Sequence, residues 1–162
     1  MARKAQRRET AERRVKLRTR RDWIKRVQVA FNAFIRERDK GQTCICCDRP
    51  LTAEAIGGGF DCGHYRSVGS APHLRFVEDN AHGQTKQCNR YGAGRAVDYR
   101  IGLIKRIGLA RVEALEADQE PRKYTIPELI ELERHYKARV RELRDDAVSG
   151  GSPKAKPSRL NP

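Results

Sequence analysis

The chain has 162 residues, of which 35 are Lys or Arg and 21 Asp or Glu, for a formal net charge of +14. That length holds one domain of ordinary size with tails, and a charge this large points to a polyanionic partner gripped through its phosphates, with affinity that falls as salt rises. No apolar run approaches ~18 residues and no secretory signal stands at the basic start, so a membrane partner is not expected and a cytoplasmic location is.

Residues 1–21 carry ten basic side chains against Glu9 and Glu12. With so little to bury, this stretch is expected to be a disordered arm that binds nucleic acid through Arg13, Arg14, Lys16, Arg18, Arg20 and Arg21, where it can order as an arm or a helix. A single domain is expected over 22–147. Within it, Trp23, Ile24, Val27, Ala30, Phe31, Phe34 and Ile35 recur at three- and four-residue steps, predicting a helix over 22–40 with Asp22 as N-cap and Gly41 as stop. Residues 43–95 form the centre. Ala96, Val97, Ile101, Ile104 and Ile107 predict a further helix ended by Gly108, and Leu109, Val112 and Leu115 a short one. Thr125-Ile-Pro-Glu128 is a capping box. It opens a long helix with a stripe of Leu129, Leu132, Tyr136, Val140 and Leu143, expected to pack on the domain, with homodimerisation as the lesser use. Residues 148–162 read as a flexible tail.

All five cysteines lie in the central segment. The spacing of Cys44 and Cys47 lets one turn offer two thiolates to a tetrahedral ion, and Cys88 lies where a treble clef places its second ligand pair. Zn²⁺ is therefore expected, against the alternative of reduced, buried thiols. Three residues before Cys88 stands Thr85, a poor zinc ligand, so the fourth position must come from elsewhere: Cys62 first, His82 second, then Cys46 or a water. Glycines 57–59 suit a turn or flexible loop, and 61–66 an extended segment. The alternation of Leu74 and Phe76 about Arg75 predicts a second strand. His64 offers an imidazole that can take a proton from water near neutral pH. Asp61 and Asn89 offer hard oxygens for Mg²⁺, and Asn80 a side chain to brace the loop bearing His64. Arg66, Arg90 and Arg95 add cationic groups beside them. Two strands, a helix, and this His/Asn set resemble the HNH or ββα-metal endonucleases. The fold class expected is thus α+β, mainly helical, with a small zinc-stapled ββα-metal (HNH, treble-clef-like) centre packed by flanking helices.

A closer likeness runs through Asn32-Ala-Phe-Ile-Arg-Glu-Arg-Asp39, Cys44-x-x-Cys47, Gly63-His-Tyr-Arg66, Ala71-Pro-His-Leu-Arg-Phe76, Asn80, His82, Gln84, Cys88-Asn89, Tyr99-Arg100 and Arg106-Ile-Gly108. In these the chain resembles the lambdoid phage NinG (Rap) recombination proteins over about residues 22–145. The resemblance implies a structure-specific, Mg²⁺-dependent endonuclease that cuts branched recombination intermediates, including Holliday junctions and D-loops, in the cytoplasm of a bacterial host beside host or phage recombination proteins. Paired nicks would make a homodimer functionally attractive. The chain departs from the family at Thr85, where a cysteine is usual; at Cys62, where the family tends to have Ala; and at Arg95, where an Asn is expected. Extra amino-terminal cysteines of a longer relative are absent. These departures sustain an alternative: a non-catalytic, zinc-stapled nucleic-acid-binding protein.

Overall fold

Thr19 sets where the ordered body begins. Its hydroxyl accepts the Asp22 backbone N–H while the Asp22 carboxylate accepts from the Thr19 backbone, a complete capping box. The helix therefore starts earlier than Asp22 as N-cap would place it, and Asp22 is its third residue. The computed structural model, which describes residues 2–52 and 59–148, has five α-helices and one short hairpin among them: α1 (Ala2–Lys16), α2 (Arg20–Arg38), β1 (Asp61–His64), β2 (Ala81–Gln84), α3 (Ala96–Ile107), α4 (Leu109–Ala117) and α5 (Ile126–Val148). The basic arm expected to be disordered is helical as α1, supported locally by the Glu9–Arg13 pair one turn apart. The tail beyond Val148, and Gly57 and Gly58 of the glycine run, lie outside the described residues.

The largest core lies between α2 and α5. Val27, Phe31, Phe34 and Ile35 of α2 are fully buried and pack with Leu129, Tyr136 and Val140 of α5. The two helices run in the same direction, since Arg26 pairs with Glu133 near their starts and Glu37 with Arg144 near their ends. The Thr125 and Glu128 capping box starts α5 as its sequence predicts, and its apolar stripe is consumed by α2. Trp23 is a core residue, 6% exposed, with the Arg18 and Arg26 guanidinium groups over its ring.

A second core joins Ile45, Leu74, Tyr99, Leu103, Val112 and Leu115. Helix α3 comes so close to the cysteine turn that a methyl group on Gly102 would stand 1.8 Å from the Ile45 carbonyl oxygen. Between the cores, β1 and β2 pair antiparallel with Asp61 opposite Gln84 and His64 opposite Ala81. The second strand is thus 81–84, not the segment around Leu74 and Phe76. Pro72 opens a 3₁₀ turn there, and the alternation arises because Leu74 enters the second core while Phe76 enters the first.

A buried ionic knot fixes the hairpin to the end of α2. Asp39, 1% exposed, accepts from Arg38 at 2.7 and 3.0 Å and from the Gly83 backbone N–H at 2.6 Å. Burial alone would raise its carboxyl pKa, but the Arg38 guanidinium and that N–H outweigh burial and hold it below the usual range.

Candidate metal centre and cleft

Cys44 opens a tight turn in which the Asp48 N–H bonds back to the Cys44 carbonyl at 3.1 Å and the Cys44 N–H donates to the Arg49 carbonyl at 2.8 Å. Asp48 takes the left-handed conformation, φ 55°, that an Asp tolerates and that turns the chain back so that the Arg49 carbonyl meets the Cys44 N–H. Cys88 arrives from a π-helical turn over Gln87–Tyr91. The sulfurs of Cys44, Cys47 and Cys88 all lie within 4.8 Å of one another. Four ligands held at ~2.3 Å around a tetrahedral zinc have sulfurs ~3.8 Å apart, so this group needs only a small contraction to hold one ion. Cys44 suits the role: hydrogen bonds from the neighbouring Cys46 thiol and from backbone N–H groups outweigh burial and hold its pKa well below the usual thiol range. Burial, by contrast, raises Cys88.

The expected fourth ligands are elsewhere. Cys62 packs against the α2–α5 core, where burial pushes its thiol up to about 12. His82 is committed as a neutral ring. Its Nδ1 faces the Arg38 guanidinium at 3.0 Å, so it must accept, and its Nε2 donates to the Asp79 carbonyl at 3.2 Å. Cys46 turns toward Gln84, whose amide N–H reaches its sulfur at 2.9 Å. Gln84 gets there beneath Gly63, where a methyl group would sit 2.1 Å from the Gln84 Oε1. The residue beside the cysteine group is Thr85.

The proposed catalytic side chains split into three places. His64 lines a cleft of about 650 Å³ together with Cys62, Tyr65, Arg66, Asn89 and Gly94. Its Nε2 donates to the Arg75 carbonyl at 3.0 Å, which leaves the lone pair on Nδ1, and burial lowers its pKa despite that bond. Asn80 is fully buried and holds the loop after β1: its Oδ1 accepts from the Arg66 N–H and its amide donates to the Arg66 and Leu74 carbonyls. Asp61 does not line the cleft. Side chains alternate along a strand, so Asp61 and His64 leave β1 on opposite faces, and the carboxylate is taken by Arg90 at 2.7 and 2.9 Å and by the Asn89 amide at 3.0 Å. Of the set, His64 and Asn89 therefore share the cleft, and Asp61 orients Asn89 from behind.

The arginines divide as well. Arg66 is structural: it donates to the Leu115 and Asp118 carbonyls and to Gln119, capping α4. Arg90 is committed to Asp61 and Arg95 to Asp98. Arg13, Arg20 and Arg21 are exposed and Arg18 covers Trp23, whereas the side chains of Arg14 and Lys16 lie outside the described residues. A groove of about 580 Å³ not anticipated from the sequence lies between α2 and α5, lined by Arg26, Lys137, Arg141 and Arg144 beside Ala33 and Val140; Arg26 and Lys137 are paired with Glu133 in the same groove, and Arg144 with Glu37. Its signal was the recurrence of Lys137, Arg141 and Arg144 on one helical face.

Fold and site together define a mainly helical α+β protein with a two-stranded sheet and a three-cysteine group able to hold a metal such as zinc. The family model described as Bacteriophage Lambda NinG protein matches residues 1–146. The chain is 41% identical to the protein ninG of Salmonella phage P22 and 40% identical to that of Escherichia phage lambda, in each case over 82% of this chain and 63% of the relative. It belongs to the NinG family. The chain spans just under two thirds of the length of these relatives, and no solved structure matches it. No helix among the described residues is long and apolar enough to cross a membrane.

Proposed function

We propose that the chain is a metal-assisted endonuclease of the HNH or ββα-metal kind, acting on branched DNA recombination intermediates such as Holliday junctions and D-loops. The observation that carries this reading is His64. Its Nε2–H is tied to a backbone carbonyl, its ring is kept neutral by burial, and it lines an open cleft. A general base for hydrolysis needs that state: an unprotonated nitrogen held in fixed orientation beside solvent. Hairpin, turn and helix follow in the order that brings Asn89 to the same cleft. Asn89 is the oxygen donor in the cleft for Mg²⁺, which when bound would stabilise charge on the phosphate. Asp61, behind Asn89, accepts its amide at 3.0 Å and so fixes the orientation of the Asn89 carbonyl oxygen. The exposed arginines of the amino-terminal stretch, with the exposed Arg141 of the α2–α5 groove, supply backbone contacts, which suit recognition of shape better than of sequence.

The bidentate hold of Arg90 on Asp61 favours a second reading, a nucleic-acid-binding protein without catalysis, in which the same carboxylate is only a brace. Purified protein incubated with Mg²⁺ and a labelled four-way junction separates the two. Nicking is expected, and His64→Ala should bind the junction with unchanged affinity but cut it at least ~100-fold more slowly. If His64→Ala cuts as fast as the parent, His64 is not the base.

A further inference from the structure

The cysteine group is built from two turns with the same spacing: Cys44 and Cys47 in the first, Thr85 and Cys88 in the second. Three corners of a tetrahedron carry sulfur, and a hydroxyl stands toward the fourth. Thr85 Oγ1 lies 3.8 Å from Cys44 Sγ, against the ~3.5 Å that separates a sulfur and an oxygen bound to one tetrahedral zinc. Two backbone bonds hold it there: the Thr85 N–H donates to Cys44 Sγ at 3.3 Å and the Cys88 N–H donates to Thr85 Oγ1 at 3.3 Å. Among the described residues the nearest other soft ligand is Cys46, which packs beside the group but is not one of the three sulfurs mutually within 4.8 Å and accepts a hydrogen bond from Gln84; Cys62 and His82 are built into other parts of the core.

We infer that the metal centre of this chain is a three-thiolate site whose fourth corner, at Thr85, is filled by oxygen and is open to exchange with small soft ligands, thiols and imidazoles. A neutral hydroxyl, or a water it holds, binds zinc far more weakly than a fourth thiolate. Thr85 and Cys47 are half-buried, while Cys44 and Cys88 are enclosed, so the weak corner lies on the side of the group nearer solvent. The centre therefore combines a scaffold role with a coordination position that an added ligand can enter. This inference rests on the cysteine group binding a metal, and not on the proposed cleavage of DNA.

Cobalt(II) substitution of the full chain tests it. Thiolate-to-metal charge-transfer absorption grows with the number of bound sulfurs, so Thr85→Cys should absorb about one third more strongly per cobalt than the parent chain, four thiolates replacing three. It should also bind zinc at least ~10-fold more tightly in competition with a chelator and release one more proton on binding. Adding imidazole or a small monothiol should shift the visible bands of the parent chain and leave those of Thr85→Cys unchanged. The inference is overturned if the parent already shows four thiolates, one of which is lost in Cys46→Ser or Cys62→Ser. It is equally overturned if imidazole and thiol leave the parent spectrum unmoved, a measurement that does not depend on any variant folding. A parent chain that binds no cobalt at all refutes the metal centre itself, whatever the junction assay reports.

Discussion

His82 should make the protein sensitive to mild acid, and the size of the effect follows from where the ring sits. It is 3% exposed, and both nitrogens are used in the neutral form: Nδ1 accepts from Arg38 and Nε2 donates to the Asp79 carbonyl. A proton added at Nδ1 would point at a guanidinium. Burial, reinforced by that positive charge, pushes the pKa down to about 3, although Asp39 nearby acts in the opposite sense. In the unfolded chain the same ring titrates near ~6.5. Between those values the unfolded state binds one more proton than the folded state, so stability falls as pH falls through that window and is unaffected above it. One proton contributes ~1.4 kcal/mol per pH unit, which makes the loss between pH 7 and pH 5 about 2 kcal/mol. Urea unfolding of zinc-loaded protein at these two pH values measures it. His82→Gln keeps an acceptor for Arg38 and a donor for Asp79 but cannot titrate; it should lower stability at pH 7 while removing about 2 kcal/mol of the acid loss. The His64 and cysteine contributions are common to both proteins and cancel in the comparison, and Asp39, whose pKa is lowered, loses its contribution only below ~4. If His82→Gln shows the pH dependence of the parent, the buried neutral ring is not the source.

Two further substitutions probe the backbone. Gly102→Ala places a methyl group 1.8 Å from the Ile45 carbonyl oxygen, and because that neighbour is backbone within the cysteine turn it cannot swing aside; the gain of ~1 kcal/mol in helix propensity is outweighed, and the urea midpoint should fall by the equivalent of about 2 kcal/mol. An unchanged midpoint would mean that α3 does not approach the turn this closely. Arg95 has φ 48° at the N-cap of α3, a left-handed conformation that costs most side chains ~1–2 kcal/mol and that Asn adopts more readily. Its half-exposed pair with Asp98 returns little, so Arg95→Asn should raise the melting temperature by a few degrees; a fall would show that the Asp98 pair outweighs the backbone.

Helices were the legible part of the sequence because their signals are local. The apolar stripes of α2 and α5 and the capping box at Thr125 each lie within a few residues of what they specify. The hairpin was half legible. Gly63 and His64 mark β1, but Ala81-His-Gly-Gln84 has no β-branched residue, and all four positions are buried, so no alternation betrays β2. Leu74 and Phe76 supplied a false alternation because they fill two different cores, a fact that exists only in three dimensions. In the metal group, spacing sufficed to join Cys44 and Cys47, and Cys88 followed from its place in the treble-clef pattern. Cys62 misled because softness of the ligand was weighed without the direction of its side chain: on β1 it faces the α2–α5 core. The bonds of Arg66 were hidden for a related reason, since the α4 carbonyls it caps lie some fifty residues away in the chain.

The Arg95 departure, which on sequence alone weakened the case for catalysis, has a backbone explanation. The left-handed position at residue 95 follows Ala93 and Gly94, which also have positive φ, and this stretch forms one wall of the cleft through Ala93 and Gly94. An Asn suits that conformation whether or not its amide does chemistry, so its absence strains the wall rather than removing a reactive group. The same wall is tied to the metal group from within. The Gly94 carbonyl accepts from the buried Gln84 amide, which also holds Cys46, and the Gly94 N–H bonds to the Cys88 carbonyl at 3.1 Å. Cys88 and Asn89 are neighbours in one π-helical turn, the first facing the cysteine group and the second facing the cleft. Tyr99 closes the circuit from α3 by donating to the Gly63 carbonyl, one residue before His64. A metal at the cysteine group thus fixes Asn89 through a single peptide bond and His64 through the hairpin, while the α2–α5 core is held by its own apolar contacts. Under the proposed function, a metal held by the cysteine group would be the rigid side of the cleft and would keep Asn89 and His64 in place from outside it.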